Sequence, residues 1–361
     1  MSSVASVDAA KQLAHDIAGQ QLLIPSLWHW LADWPAAVNQ NLERLRPVVD
    51  TIIDSSIIDE EKRNHIKRHD FALLAALMYP RAEWRELQIV AAYKVWVFIW
   101  DDEIDLGQSE TALDKEKTGQ YCKKSLAYIR HVLQLDTDNG TDIGLHHSPY
   151  KCMAAFKEVC DGLVETADAD QRERIFRELE IYISQVVIEQ GRQQDGKLPT
   201  LEEYVSMRMG SVGVTPYIAC FEATNRIQLP RSVMDSKEMS IIWEETTMLS
   251  LVINDIYSCQ KEIASGSIQN LVPVMWNETK NMGHVVVDII SILKESVKKF
   301  ERAFKMLEGQ TSLDSKLDND MKAFVDNCRT WVTGLLEWTL TSERYKMYQY
   351  LHQDGSVVVP L

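Results

Sequence analysis

Residues 96–105 read Trp96-Val97-Phe98-Ile99-Trp100-Asp101-Asp102-Glu103-Ile104-Asp105. An aromatic, apolar run ends abruptly on four acids. The residues upstream, from Arg81, recur with a period near 3.6, so the stretch reads as the end of a helix. On a helix Asp101 and Asp105 stand one turn apart on the same face. Two carboxylates at the end of a buried apolar segment repel one another and lose hydration, so something positive must compensate them. A hard cation with oxygen ligands does so economically, and Mg²⁺ takes one or two carboxylates beside waters and phosphates. Taken alone, the stretch fits a solvated helix end as well as a cation site.

Outward from this stretch the same period persists, with no alternating strand pattern. Helices are expected over Val38–Asp54, Asp59–Leu77 and Arg81–Asp102, with Pro80 between the last two. Three tryptophans, Trp28, Trp30 and Trp34, are expected to anchor an N-terminal segment. After the acids, residues 106–118 have the composition of a loop over a site mouth. Helices follow to Leu133, over Ser148–Val164 and over Ala167–Gln190. Thr200-Leu201-Glu202-Glu203 is a capping box that opens the next helix. That helix runs into Met209-Gly210-Ser211-Val212-Gly213, where two glycines should kink or break it. Further helices are expected over Met239–Ser265, Asn277–Leu307 and Leu313–Glu343, with a break over Gly266–Pro273. No linker or repeat divides the chain. The expectation is one all-α domain over residues 1–361, a bundle of ten or more helices, with residues 1–37 packed on it and residues 346–361 as a tail.

The 361 residues carry 38 Lys+Arg against 53 Asp+Glu, a formal charge of −15. That argues against broad nucleic-acid or anionic-membrane binding, which needs basic patches. It leaves room for an anionic small substrate recruited through metal ions. The six cysteines are scattered with no metal-site spacing and read as reduced thiols in a cytoplasmic protein. No secretory signal is evident. The most apolar run, Ile89–Trp100, contains Lys94 and is too short to span a membrane. His69-Asp70 has no companion ligand set and reads as structural.

A second stretch matches the first. Asn254, Ser258 and Glu262 fall one helical turn apart, a stripe about 12 Å long. Amide oxygen, hydroxyl and carboxylate are all hard ligands, suited to a second Mg²⁺ site. The helix before them, with Ile241, Ile242, Met248, Leu251 and Val252, is apolar, so the stripe faces the interior.

With both stretches in view the chain resembles a class I terpene cyclase of the microbial, fungal-type sesquiterpene synthase kind. Asp101-Asp102-Glu103-Ile104-Asp105 matches the family's DDxxD motif. Asn254 to Glu262 matches (N/D)D(L/I/V)x(S/T)xxxE, including Lys261 beside the glutamate. Arg208 stands where the family has a diphosphate-sensing arginine, and Arg344-Tyr345 where it has an Arg-Tyr pair. Four motifs in order, from Asp101 to Tyr345, cover most of the chain.

The resemblance implies a class I terpenoid synthase fold around a central apolar cavity. It implies an isoprenoid diphosphate substrate, most readily farnesyl diphosphate, and three Mg²⁺ ions. Asp101, with Asp105, is then a ligand of two ions, and Asn254, Ser258 and Glu262 hold the third. Arg208, Lys261, Arg344 and Tyr345 donate to the diphosphate. Asp102 and Asp105 have a second reading as partners of Arg344. Val97 and Phe98, one turn before Asp101, are expected to line the cavity. So are Ser211 and Val212 at the kink, and Trp331 and Trp338 on the helix taken to carry Arg344. The alternatives are a diterpene cyclase using geranylgeranyl diphosphate, a chain-elongating prenyltransferase and a non-catalytic helical scaffold. The prenyltransferase usually repeats an aspartate-rich motif where this chain has Asn, Ser and Glu. A homodimer stays open.

Overall fold

The acidic motif ends a helix of 22 residues, Trp84–Asp105. Its apolar residues are distributed all round rather than along one stripe, the pattern of a helix buried among others. Residues from Leu87 to Trp100 are indeed mostly buried. The structure, a computed structural model, describes residues 11–105, 115–136, 152–195 and 198–361.

In chain order the longer helices are α1 (Leu42–Ser56), α2 (Glu60–Lys67), α3 (Phe71–Met78), α4 (Trp84–Asp105), α5 (Lys115–Val132) and α6 (Cys152–Thr166). They continue as α7 (Ala169–Asp195), α8 (Leu201–Ser211), α9 (Lys237–Ala264), α10 (Leu271–Thr279), α11 (Met282–Thr311) and α12 (Ser315–Thr341). α4 packs on α6, α3 and α1, while α9 packs on α11 and α12. α12 lies on α3 and α7 on α8, which closes the bundle around the ends of α4 and α9. Among the described residues no helix is long and apolar enough to cross a membrane.

Local chemistry explains the element ends. Thr200 Oγ1 accepts from the Glu203 amide at 3.2 Å, and Glu203 Oε2 accepts from the Thr200 amide at 3.0 Å, so the capping box starts α8 as its residues predict. α8 stops where Gly213 adopts φ +71°, and a short turn, Thr215–Ile218, resumes beyond it.

Three expectations need correction. The helix expected over Asp59–Leu77 is two helices, because Asp70 takes a left-handed φ of 50° between them. Its carboxylate accepts from the Leu73 amide at 3.1 Å and from Arg46 at 2.9 Å, so a cap and an ion pair hold the break. The break expected over Gly266–Pro273 ends early, since Asn270 caps α10 and accepts from the Val272 amide at 2.9 Å. Pro273 fits the first turn of α10, where its missing N–H has no partner to lose. Finally, the helix expected over Asn277–Leu307 is interrupted at Lys280, which takes a left-handed φ of 51° between α10 and α11; two short strands also form near the ends of the chain. Gln21–Ile24 (β1) and Val357–Pro360 (β2) pair antiparallel, with Leu22 opposite Val359 and Ile24 opposite Val357. Each strand has four residues, too few for alternation to show.

Packing between α3 and α12 is close enough to need a glycine. A Cβ on Gly334 would lie 2.7 Å from the Leu77 carbonyl carbon and 2.8 Å from the Met78 nitrogen, both backbone atoms that cannot swing aside. Gly334→Ala is therefore expected to destabilise the protein by roughly 1–3 kcal/mol, read as a lowered denaturation midpoint. A midpoint equal to wild type would mean the two helices separate freely.

Candidate active site

Four segments bring their polar residues to one cavity. The end of α4 supplies Asp101 and Asp102, and α8 supplies Arg208. α9 supplies Asn254, Lys261 and Glu262, and the turn after α12 supplies Arg344 and Tyr345. Val97, Phe98, Ser211, Val212 and Trp331 border the same space.

The acids and cations are tied together in a definite pattern. Tyr182 donates to Asp101 Oδ1 at 3.1 Å. Burial pushes the Asp101 carboxyl above the usual carboxylate range, and the neighbouring charges of Asp102 and Glu189 push it further. Its anionic form thus lacks enough positive charge nearby. Arg208 spans three partners: Nη2 donates to Asn254 Oδ1 at 2.9 Å, Nε to Asp255 Oδ1 at 3.4 Å, and Nη1 lies 3.6 Å from Glu189 Oε2. Asn254 in turn donates to the Tyr345 hydroxyl at 3.1 Å. Arg344 pairs with Asp102 at 3.7 Å, and its guanidinium sits 4.6 Å from the Phe98 ring centre.

Over residues 93–299, more than half of the chain, the sequence matches the family described as "Terpene synthase family 2, C-terminal metal binding". The chain belongs to this family. It is 26% identical over 350 residues to sesquiterpene cyclase hepA of Aspergillus oryzae, covering 96% of this chain and 94% of that one. It is 27% identical over 358 residues to terpene cyclase braA of Annulohypoxylon truncatum, covering 98% and 94%. Among solved structures, α-eudesmol synthase superposes with a TM-score of 0.72 at 18% identity over 86% of this chain and 98% of that one. Germacradien-4-ol synthase of Streptomyces citricolor gives 0.68 at 17% identity, over 85% and 96%. The protein is therefore a terpene synthase with the all-α class I terpenoid synthase fold, from a family that binds metal.

The cavity of this terpene synthase fits a hard cation with a polyanion. Among the described residues no three His, Cys, Asp or Glu side chains form a pre-built cage. Asp101, Asn254 and Glu262 instead offer separate oxygens around one space, which suits an ion that completes its shell with substrate and water. On the same space Arg344 Nε and Ser211 Oγ are buried without a hydrogen-bond partner. Such orphaned groups are costly unless a ligand meets them.

Three expected site residues behave differently from the rest. Trp338 does not line the cavity; it packs behind Phe98, with ring centres 5.8 Å apart, and its indole donates to the His69 carbonyl at 2.8 Å. The physical reason is that α12 ends at Thr341, so Arg344 lies on a turn and its direction does not carry back along the helix. Asp105 closes α4, and its side chain lies outside the described residues, as do residues 106–114 of the expected loop.

Ser258, on α9 between Asn254 and Glu262, is buried and does not border the cavity; its hydroxyl is held by a residue the motifs do not contain. Asn270 Nδ2 lies 2.9 Å from Glu262 Oε2, 3.3 Å from Ser258 Oγ and 2.7 Å from the Asp255 carbonyl. Its only signal in the sequence is that of a helix N-cap. Asn270→Leu removes the tether on Glu262 and is expected to weaken metal affinity by about 10–100-fold. A Mg²⁺ titration of diphosphate release checks it: the half-saturating concentration rises while the rate at saturation falls less. An unchanged half-saturating concentration would reduce Asn270 to a helix cap.

Proposed function

We propose that this terpene synthase is a Mg²⁺-dependent cyclase that ionises farnesyl diphosphate and closes the resulting cation to a sesquiterpene hydrocarbon or alcohol, releasing diphosphate. One observation carries the reading: oxygen ligands and cationic donors meet on the rim of a cavity whose wall is aromatic and aliphatic. When bound, Mg²⁺ would neutralise charge on the leaving diphosphate. Asp101, with Asp105, would hold two ions, and Asn254, Ser258 and Glu262 the third.

The chain's own residues do the remainder. Arg208, Lys261, Arg344 and Tyr345 donate to diphosphate oxygens and stabilise charge as the C–O bond breaks. Phe98 and Trp331 offer ring faces to an allylic cation, and the apolar wall excludes water that would quench it. Ser211 and Val212, at the end of α8, couple Arg208 to the cavity wall. The C15 chain length is supported by relatives named as sesquiterpene cyclases along nearly the full length of this chain. That span also supports one catalytic domain over residues 1–361, with β1 and β2 tying its two ends.

Purified protein mixed with Mg²⁺ and geranyl, farnesyl or geranylgeranyl diphosphate tests the reading. The expected result is diphosphate release and a volatile cyclic product from the C15 substrate, abolished by EDTA. A cyclic C20 product alone would make it a diterpene cyclase. Longer diphosphates would make it an elongating prenyltransferase, and no release from any chain would leave a scaffold.

A further inference from the structure

Lys94 is the one charge inside the apolar run of α4, two turns before Asp101, and its side chain is 2% exposed. It borders the cavity on the side of Tyr217 and Trp331. Its Nζ lies 3.5 Å from the ring centre of Tyr217 and 3.5 Å from that of Trp331, whose rings are 4.9 Å apart. Neither ring presents a polar atom to it. The Tyr217 hydroxyl donates to the Tyr93 carbonyl at 3.2 Å, and the Trp331 indole to Ser250 at 3.0 Å.

A lysine so deep ordinarily has a carboxylate for company. Among the described residues no acid pairs with Lys94. Burial pulls its pKa well below the ordinary value, and the only opposing influence is Cys220. That thiol is itself pushed up by burial to about 12, so it supplies no thiolate. Deep burial with no acidic partner favours the neutral amine, whose lone pair borders the cavity on a stretch of wall made of aromatic and aliphatic side chains. A permanent ammonium there would repel a substrate carbocation, whereas a neutral amine does not.

We propose that Lys94 Nζ is the proton acceptor that ends the cyclisation, so that the product is a hydrocarbon. The inference rests on the cyclase reading above. A C–H bond next to the final cationic carbon breaks, its electron pair becomes the new C=C bond, and the proton joins the Nζ lone pair. The positive charge passes from carbon to nitrogen and stays between the faces of Tyr217 and Trp331, which stabilise an ammonium as they would a carbocation. The ammonium loses its proton to water before the next turnover. The amine differs from the diphosphate as a base in lying two helical turns from the metal motif, so it selects a proton at the far end of the folded chain.

The test uses Lys94→Met and Lys94→Gln, one apolar and one polar, each too weak a base to take the proton. Measurable diphosphate release in either shows that the fold and ionisation site persist. The expected result is the wild-type ring skeleton with its double bond moved, or carrying a hydroxyl from water, and a fall of about tenfold or more in the share of the wild-type hydrocarbon. A base defect keeps the skeleton, whereas a shape defect changes it. An unchanged product pattern, a changed skeleton in both variants, or a wild-type product that is an alcohol overturns the role of Lys94 and leaves the cyclase intact. So does a gain in protein mass after turnover equal to one isoprenyl group, since the amine would then be attacking carbon. Wild-type protein that releases no diphosphate overturns the cyclase reading and this inference with it.

Discussion

Asp101→Asn is expected to lower Mg²⁺-dependent diphosphate release by about 10²–10³-fold, the range for removal of one principal electrostatic contact to a developing charge. The substitution keeps size and shape and removes the negative charge. Asparagine still accepts from Tyr182, so the local geometry has no reason to change. Stability should move the other way. Burial and two neighbouring acids raise the folded-state pKa of Asp101, so the folded protein prefers this group protonated. At neutral pH the anion is then held at a cost that a neutral amide avoids. In metal-free buffer the variant should melt at the same temperature as wild type or above it. Asp102→Asn should cost less activity, because Asp102 lies 3.7 Å from Arg344 and has a structural partner. Equal losses in the two variants would mean that the motif works as a block of charge rather than through Asp101. A lower melting temperature for Asp101→Asn would count against the electrostatic account.

What the sequence made legible was spacing along single helices. Asp101 on α4, and Asn254 and Glu262 on α9, are one-turn repeats, and rigid helices deliver them to the cavity as the period implies. The Thr200–Glu203 box is legible for the same reason, since both partners lie within one turn. A side chain's direction is not legible where it must pass through a helix end. The spacing places Arg344 on one helix with Trp338, but the chain leaves α12 at Thr341, and the tryptophan faces Phe71 and Phe98 instead. Asp70 hid a helix break because a left-handed residue between two helical segments leaves no gap in the apolar pattern. Asn270 and Glu189 were invisible as site residues because their partners come from other segments: Asn270 reaches back to α9, and Glu189 on α7 meets Arg208 on α8. Lys94 did leave a signal, a lone charge on the Asp101 face of an apolar helix. β1 and β2 lie at opposite ends of the chain, and nothing in either four-residue strand names its partner.

Arg208→Lys is expected to reduce diphosphate release by about 10²-fold while leaving the protein folded. The planar guanidinium reaches Asn254, Asp255 and Glu189 with three different nitrogens, and a single ammonium cannot reproduce that fork. Lysine keeps the charge that offsets buried Asp255, so stability should fall only modestly. Asn254, however, loses the donor that orients its oxygen, and a misdirected oxygen is a poor ligand. Arg208→Met separates the two roles. It leaves Asp255 with Tyr204 and the Leu271 amide but no counter-charge. Breaking a buried pair in this way typically costs about 3–5 kcal/mol, so this variant should lose stability as well as activity. The methionine variant's stability should recover in part in acid. Without Arg208, the Asp255 pKa should rise further above its unfolded value, so protonation is worth more in the folded state and the gap to wild type narrows as pH falls. Melting curves of both variants at pH 5 and pH 8 read the sign directly. A lysine variant with full turnover would remove Arg208 from diphosphate recognition and leave it as a structural strut. A methionine variant as stable as wild type at pH 8 would mean that Asp255 is already protonated, and that the second metal motif carries one charge fewer than its residues suggest.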